Sequence, residues 1–584
     1  MSRNVSRPQD AKEHDDRAKM SSRLIGQEAG QSRSQIWVFA VSIVIVAVAV
    51  LAAHWPALSA QALSFDDDRY LTENALVKNP SWNSARRFLC EVLEPSTIGG
   101  YYQPLAMISL MLDYAAGGRV DNLKVFHQTS LLLHLCNTVL IMFLVFRLFG
   151  RVWPAAAVAL LFGLHPMTVE TIAWVGERKT VLAAFFSLLS LNFYVGYSCK
   201  GGWKLYCLTL LMYVLALMSK PTSTPLPFLM LVLDYWPLRR LGKTAVLEKL
   251  PMLLIGGISG VITFISQMRT ASVLLPGEYS LTAVPLIVGY SLTFYISKIF
   301  YPVHLSSHYP FPEPFALSDP MVLASVISAV ILIAAAAVSL RWTRVFFAGL
   351  LFFFIAILPT MQVIAFSNVV ASDKFAYLPV VGFLVSGAYL MIRLWDLTAA
   401  TRFMRLFRLG IVALLIFAAE SEASLTRRYL VHWQNTESLY SYMIENAPKA
   451  PVLHNNFGVF YYKNGKVNKA AEEWSIAAAL DPDYPDALNN LAWVLATNKD
   501  AQKRDGRKAI ILAQKACRLT DYKDAAKLDT LAAAYAEVGE FDKAVAAIQE
   551  GIQIAQSSER KELANEMVER LKLYREGKTF HQRQ

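Results

Sequence analysis

Charge is scarce in this chain. Asp, Glu, Lys and Arg make up only 17% of its 584 residues, against 55% hydrophobic, which excludes an ordinary soluble protein. Cysteine is equally sparse. Cys90, Cys136, Cys199, Cys207 and Cys517 form no CxxC pair and no regular framework, and Cys136 and Cys207 lie within apolar runs, so neither disulfides nor zinc are expected. No GxxxxGK or GxGxxG stands between a strand and a helix, so nothing supports nucleotide-driven chemistry. The first apolar run lacks a cleavage site and is long for a signal peptide, and therefore reads as a retained signal-anchor.

What the chain has instead is a series of apolar runs of about 20 residues, each long enough to cross a hydrocarbon core of ~30 Å. They fall within 36–425, between a polar cytoplasmic tail (1–35) and a polar C-terminal part: a linker helix (426–449), a repeat domain (450–575) and a short tail (576–584). The fold expected is all-α. The net charge of +11 sits in short loops, which points to membrane topology rather than to nucleic acid. Candidate spans are 36–58, 125–146, 153–172, 180–198, 204–219, 223–238, 250–267, 282–302, 320–340, 345–362, 375–394 and 407–424. Basic clusters at Arg147/Arg151, Lys200/Lys204, Arg239/Arg240/Lys243, Arg341/Arg344 and Arg393/Arg402/Arg405/Arg408 should all be cytoplasmic. That holds if the N-terminus is inside and 282–302 is interfacial or re-entrant. About eleven true spans then remain, and the C-terminus is outside.

The polar C-terminal part repeats itself. In "LHNNFGVFYYKNGKVNKAAEEWSIAAALDPD", Phe457, Gly458, Tyr461, Ala470, Trp474, Ala477 and Pro482 take the spacing of the ~34-residue tetratricopeptide repeat. "LNNLAWVLA" opens a second unit and "LDTLAAAYAEVGEFDKAVAAIQEGI" a third, and 559–575 is expected to cap the array. Such a domain either stabilises the protein as a folded appendage or holds an extended polypeptide in its groove. The second is the expectation here, with a protein or peptide acceptor as partner.

Directly after the first apolar run comes "ALSFDDDRYLTENALV", with Asp66, Asp67 and Asp68 adjacent. Three readings are open: a solvated loop or helix cap, a divalent metal site, disfavoured because adjacent side chains rarely converge on one ion, or a general base whose proton affinity is raised at the membrane edge. On the proposed topology the same face receives "HPMTVETIAWVGERKT", "SKPTS", residues 303–319 and "SNVVASDKFAYLP".

The ordered series "FDDDRYLTENALV", "YYQPLAMISLMLDY", "LFGLHPMTVETIAWVGERKTVLAAFF", "SKPTSTPLPFLMLVLDYWPL" and "SDKFAYLPVVGF", followed by tetratricopeptide repeats, resembles the transmembrane-and-tetratricopeptide proteins. These are a branch of the GT-C glycosyltransferases related to protein O-mannosyltransferases. The resemblance covers about 36–558. It implies transfer, with inversion, of a sugar from a polyprenyl-phosphate donor to an extracytoplasmic hydroxyl, with Ser/Thr of a protein as the expected acceptor. An acidic residue of the first external loop would be the base: Asp66 first, then Asp67, with Asp68 in support. No metal or other cofactor is required on this reading.

A departing lipid phosphate needs positive charge where negative charge develops. Arg178, Lys179, Lys220 and Lys374 lie on the required face, Arg178 and Lys179 being the preferred pair. The alternative for each is a cation snorkelling to the interface. His165 and Glu170, one turn apart if helical, together with Glu177 and Tyr102, are candidates to orient acceptor or sugar, against a plain helix-end role. A bacterial inner membrane is the expected location. Two other classes compete: a scaffold whose membrane part is only an anchor, and a transporter. The transporter would need mid-membrane ionisable residues, of which Asp113 and His134 are the clearest and lack an evident partner.

Overall fold

The protein is described from a computed structural model, over residues 33–92, 102–270, 283–312, 314–361, 369–397, 402–558 and 560–582. It divides into two compact units, Met1–Leu439 and Tyr440–Gln584. Most of the tail assigned to 1–35 lies outside the described residues.

Among the described residues of the first unit six helices are long and apolar enough to cross a membrane: Arg33–Ser59, Lys124–Phe149, Val175–Lys200, Lys243–Met268, Pro320–Ser339 and Arg405–His432. Val152–Leu164 and Pro166–Ala173, bent by 55°, make a seventh if they count as one span. Three of the six bury 17% or less of their most apolar window, so their apolar surface needs a non-aqueous surround. The chain is a multi-pass membrane protein.

By length and composition this is fewer than the eleven spans expected. Runs read as spans at 204–219, 223–238, 345–362 and 375–394 fold as the shorter helices Trp203–Ser219, Leu226–Tyr235, Val345–Ile357 and Val381–Leu397, of 10 to 17 residues. Seventeen residues rise only about 25 Å, short of the ~30 Å core. The segment read as re-entrant forms the 17-residue helix Val284–Phe300, and residue 282 lies outside the described residues. Pro104–Ala115, an apolar helix of 12 residues, was not expected as an element of its own.

Local chemistry sets several boundaries. Gly150, at φ +67°, ends Lys124–Phe149 in the left-handed conformation that glycine tolerates. Asp319 caps Pro320–Ser339 by accepting the Met321 and Val322 N–H groups at 2.8 and 3.0 Å. Pro166 has no N–H to continue the preceding helix, and the His165 ring accepts the Met167 N–H at 3.2 Å, so the chain bends there. After Val284–Phe300 the chain is irregular, and Tyr309–Pro310 pairs antiparallel with Val369–Ala371. That ladder delivers residues 372–376 beside Glu170.

The regular structure among the described residues of the second unit is all helical. Its first helices, Pro451–Lys463, Pro485–Thr497 and Ala525–Glu537, alternate with Val467–Leu480, Gly506–Leu519 and Phe541–Ser557, and Lys561–Arg575 follows. A Cβ on Gly458 would stand 2.5 Å from the Trp474 indole, which is why the repeat requires a small residue there. Ala470, Trp474 and Ala477 are buried with it.

Candidate functional site

The site is assembled at one end of the first unit from four stretches far apart in the chain. Glu177 is its centre. Its carboxylate lies 3.2 Å from Lys179 Nζ, 3.3 Å from Lys220 Nζ and 3.4 Å from Lys374 Nζ, and Thr180 donates its hydroxyl to it. Lys220 also donates to Thr180 Oγ1 at 2.8 Å. Glu170 supports the far side: it is 3.2 Å from Lys374 Nζ, accepts the Lys374 N–H at 2.9 Å and takes the Ser372 hydroxyl at 2.9 Å. Three ammonium groups thus share two glutamates. Aromatic faces hold them as well: Lys374 Nζ sits 4.1 Å from the Trp174 ring centroid and Lys179 Nζ 4.4 Å from that of Tyr70.

Around the lysines the proton affinities are set by burial. Lys220 is pulled down to about 8 because desolvation disfavours its charge, only partly offset by Glu177. Lys374 moves up, since Glu177 and Glu170 outweigh the cost of its burial. Asp373, buried and accepting from the Tyr309 and Tyr429 hydroxyls at 2.8 and 3.1 Å, is pushed well above the usual carboxylate range by desolvation and by Glu170.

The three aspartates separate. Asp67 is fully buried; it accepts the Leu63 N–H at 3.0 Å and the Gly176 N–H at 2.8 Å. Desolvation pushes it up to about 7. It ties the aspartate loop to the Gly176–Thr180 stretch, and a Cβ on Gly176 would stand a tight 3.3 Å from its Oδ1. Asp68 accepts from the Ser64 and Thr72 hydroxyls at 3.3 and 3.2 Å, a local tie. Asp66 is half-buried; its carbonyl accepts the Arg69 and Tyr70 N–H groups, while its carboxylate makes no hydrogen bond or ion pair among the described residues, yet its charge acts on Lys179 and Lys374. Of the three, Asp66 is the carboxylate left available beside the lysines.

Several candidates stand elsewhere. Arg178, half of the preferred phosphate pair, is fully buried and points away from Lys179. It binds Asp113 at 2.7 Å, Ser109 at 2.8 Å, Ser130 at 3.1 Å and the Phe126 carbonyl at 2.5 Å. Four of its five N–H donors are used in these contacts, so it is engaged in a packing ion pair, and Asp113 has the partner the sequence did not reveal. His134 is likewise engaged, 2.7 Å from the Tyr377 hydroxyl and 3.0 Å from the Gly163 carbonyl. His165 and Glu170 do not share one helical face, because the chain bends between them; His165 Nε2 instead donates to the Ile299 carbonyl at 2.9 Å. Tyr102 donates to the Leu89 carbonyl at 2.8 Å, a loop contact, and Tyr101 lies outside the described residues. Tyr70, Trp174, Ser372 and His308 belong to the site without having been singled out. His308, lowered to about 4 by burial and then by Lys374, stands near as a neutral imidazole.

An apolar cavity of about 870 Å³ lies near the cluster, although none of the cluster's own charged side chains lines it. Thr168 and Ala376, each two residues from Glu170 and Lys374 respectively, line one part of it. From there it follows Val381–Leu397 as far as Met391 and reaches Trp342 and Thr343. Its wall is dominated by side chains such as Phe162, Ile299, Leu332 and Phe346, and suits a hydrocarbon chain.

A membrane bundle with a charged cluster near an apolar cavity, carrying a repeat domain, is the class of protein that these features define. The tetratricopeptide (TPR) repeat model matches residues 451–498. Among curated proteins the chain is similar to protein O-mannosyl-transferase Tmtc1 of Drosophila melanogaster, 27% identical over 36% of this chain and 24% of that one. It is similar to protein O-mannosyl-transferase TMTC2 of Homo sapiens, 32% identical over 26% and 19%. The match to protein O-mannosyl-transferase F38B6.6 of Caenorhabditis elegans is longer, 22% identical over 72% and 60%. The matched region thus spans a quarter or less of the first two relatives and under two thirds of the third. The relatives named Tmtc1 and TMTC2 are of the kind that the ordered motifs resemble. The crystal structure of yeast Tom70 aligns with 69% of this chain at 14% identity and a TM-score of 0.22, too distant to bear on the fold.

Proposed function

We propose that this protein is a membrane glycosyltransferase of the GT-C type, taking a sugar from a polyprenyl-phosphate donor and giving it, with inversion, to an extracytoplasmic hydroxyl. The acceptor expected is Ser or Thr of a protein, as the names of its relatives suggest. The observation that carries the reading is Asp66, whose side chain has no hydrogen-bond or ion-pair partner among the described residues and whose charge acts on Lys179 and Lys374, in a cluster that also holds Lys220 and has an apolar cavity near it.

The donor's hydrocarbon tail lies in the cavity and its phosphate meets the lysines. Asp66 takes the proton from the acceptor hydroxyl as that oxygen attacks the anomeric carbon. The bond from that carbon to the phosphate oxygen breaks, and the lipid phosphate leaves with the electron pair, its growing charge met by the three ammonium groups. Glu177 and Glu170 hold those ammonium groups in place, and Asp67 fixes the loop that carries Asp66. Lys220, pulled to about 8, makes donor binding weaken as pH rises through that value.

The experiment is direct. Purified protein in lipid nanodiscs is given a radiolabelled polyprenyl-phosphate sugar and a Ser/Thr-containing peptide. Label should pass to the peptide. Transfer from a nucleotide sugar instead, or from neither donor, overturns the proposal.

A further inference from the structure

The second unit already holds an extended polypeptide: its own. After Lys561–Arg575 the chain turns at Gly577, φ +66°, and runs without regular structure to Gln582. Thr579 to Gln582 are half-buried. This stretch touches the first helices of all three repeats. His581 Nε2 lies 2.8 Å from Glu537, the last residue of Ala525–Glu537. The Phe580 ring packs 5.9 Å from that of Trp493, on Pro485–Thr497, and the Arg570 guanidinium stands 5.4 Å from the Phe580 centroid. Gln582 then donates its backbone N–H to the Thr497 carbonyl at 3.0 Å, and its side-chain amide to Thr497 Oγ1 at 2.9 Å and to the Tyr462 hydroxyl at 2.6 Å. Trp493 Nε1 donates to the same hydroxyl at 2.9 Å, which fixes it as an acceptor.

These contacts are of a recognisable kind. One aromatic side chain is seated between an indole and a guanidinium, one main-chain bond sets the register, and one carboxamide is read by two hydroxyls. A stretch that merely covered apolar surface would need only the first. Repeat arrays offer this combination along the face formed by their adjacent first helices.

We infer that this face is a binding groove for an extended polypeptide bearing an aromatic residue followed, two positions on, by a carboxamide residue, and that residues 578–582 occupy it in cis. A segment tethered this closely has an effective concentration of about millimolar. A polypeptide in trans must outcompete it, so the groove of the intact protein is closed to weak ligands and selective for strong ones. The inference stands whether or not the membrane unit transfers sugar.

The test uses the whole protein in detergent and a fluorescein-labelled synthetic peptide of residues 577–584, GKTFHQRQ, read by anisotropy. A chain ending at Glu576 should bind the peptide at least about tenfold more tightly than the intact chain. The same peptide with alanine at the Phe580 position should lose that binding. Should the shortened chain lose its helical circular dichroism, a full-length Phe580→Ala/Gln582→Ala variant takes its place with the same expectation. Equal binding by intact and opened chains, binding by neither, or undiminished binding of the alanine peptide overturns the inference. So does an oligomer of the intact chain that the shortened chain does not form, which would put the segment in the groove of a second copy.

Discussion

Among the described residues of the first unit, two buried ionic clusters differ in what they leave over. The first gathers Asp234, Lys249, Arg240 and Glu248. Lys249 Nζ is 2.7 Å from Asp234, Tyr194 donates to Asp234 at 2.6 Å, and Arg240 pairs with Glu248. Two acids meet two bases, and Lys249 and Asp234 are both fully buried. The second gathers Glu170 and Glu177 with Lys179, Lys220 and Lys374, and has one ammonium more than it has glutamates. The balanced cluster staples Leu226–Tyr235 to Leu250–Thr270, since Lys249 immediately precedes the latter. The second has only Asp66, whose carboxylate is tied to nothing among the described residues, to offset its third ammonium, and it is the cluster we propose to receive an anionic ligand.

The sharpest way to break the contrast is to remove the surplus. Lys179→Ala and Lys374→Ala should each lower sugar transfer on the order of 10²-fold while membrane insertion persists; transfer near the wild-type rate would place the phosphate elsewhere. The balanced cluster should respond oppositely. Lys249→Met strands a buried carboxylate and should cost about 3–5 kcal/mol of stability, with transfer per folded molecule unchanged. Arg178 and Lys179 make the same comparison between neighbours: Arg178→Met should destabilise by a similar amount, again about 3–5 kcal/mol, because it abandons Asp113, and a thermal melt against a single-turnover assay separates the two effects.

The smallest effect concerns Asp67. Its proton affinity is raised in the folded protein to about 7 from the 3.8 of a free side chain. The folded state therefore binds more protons than the unfolded state between those values. The contribution from Asp67 is fully present below about pH 4 and is lost as pH rises through about 7. Asp67→Asn keeps one acceptor for the Gly176 or Leu63 N–H and should flatten that slope, at a cost of about 1–3 kcal/mol. An unchanged pH profile of unfolding would contradict the assignment.

How much of this was legible depends on how local the cause is. The repeats showed themselves because Gly458 under Trp474 and Ala470 beside it are packing demands within one unit, written at fixed spacing. That loops from four stretches would meet was readable from charge at the ends of apolar runs. Which residue of "GERKT" would face the site was not. Arg178 and Lys179 are about 100° apart on a helix, and the choice is made by Asp113, 65 positions away. His308, Tyr70 and Ser372 gave no signal, since nothing in an imidazole, a phenol or a hydroxyl announces a neighbour that the fold will bring. Hydropathy alone did not show that four of the runs read as spans would fold as helices of only 10 to 17 residues, as where Pro225 and Pro237 flank Leu226–Tyr235.

The central claim is that Asp66 accepts the proton of the attacking hydroxyl. Asp66→Asn, assayed for single-turnover transfer and, separately, for binding of the polyprenyl-phosphate sugar, tests it most directly. The account predicts transfer reduced by about 10²–10⁴-fold with donor affinity unchanged. Transfer at the wild-type rate, or a loss traced wholly to donor binding, would contradict it.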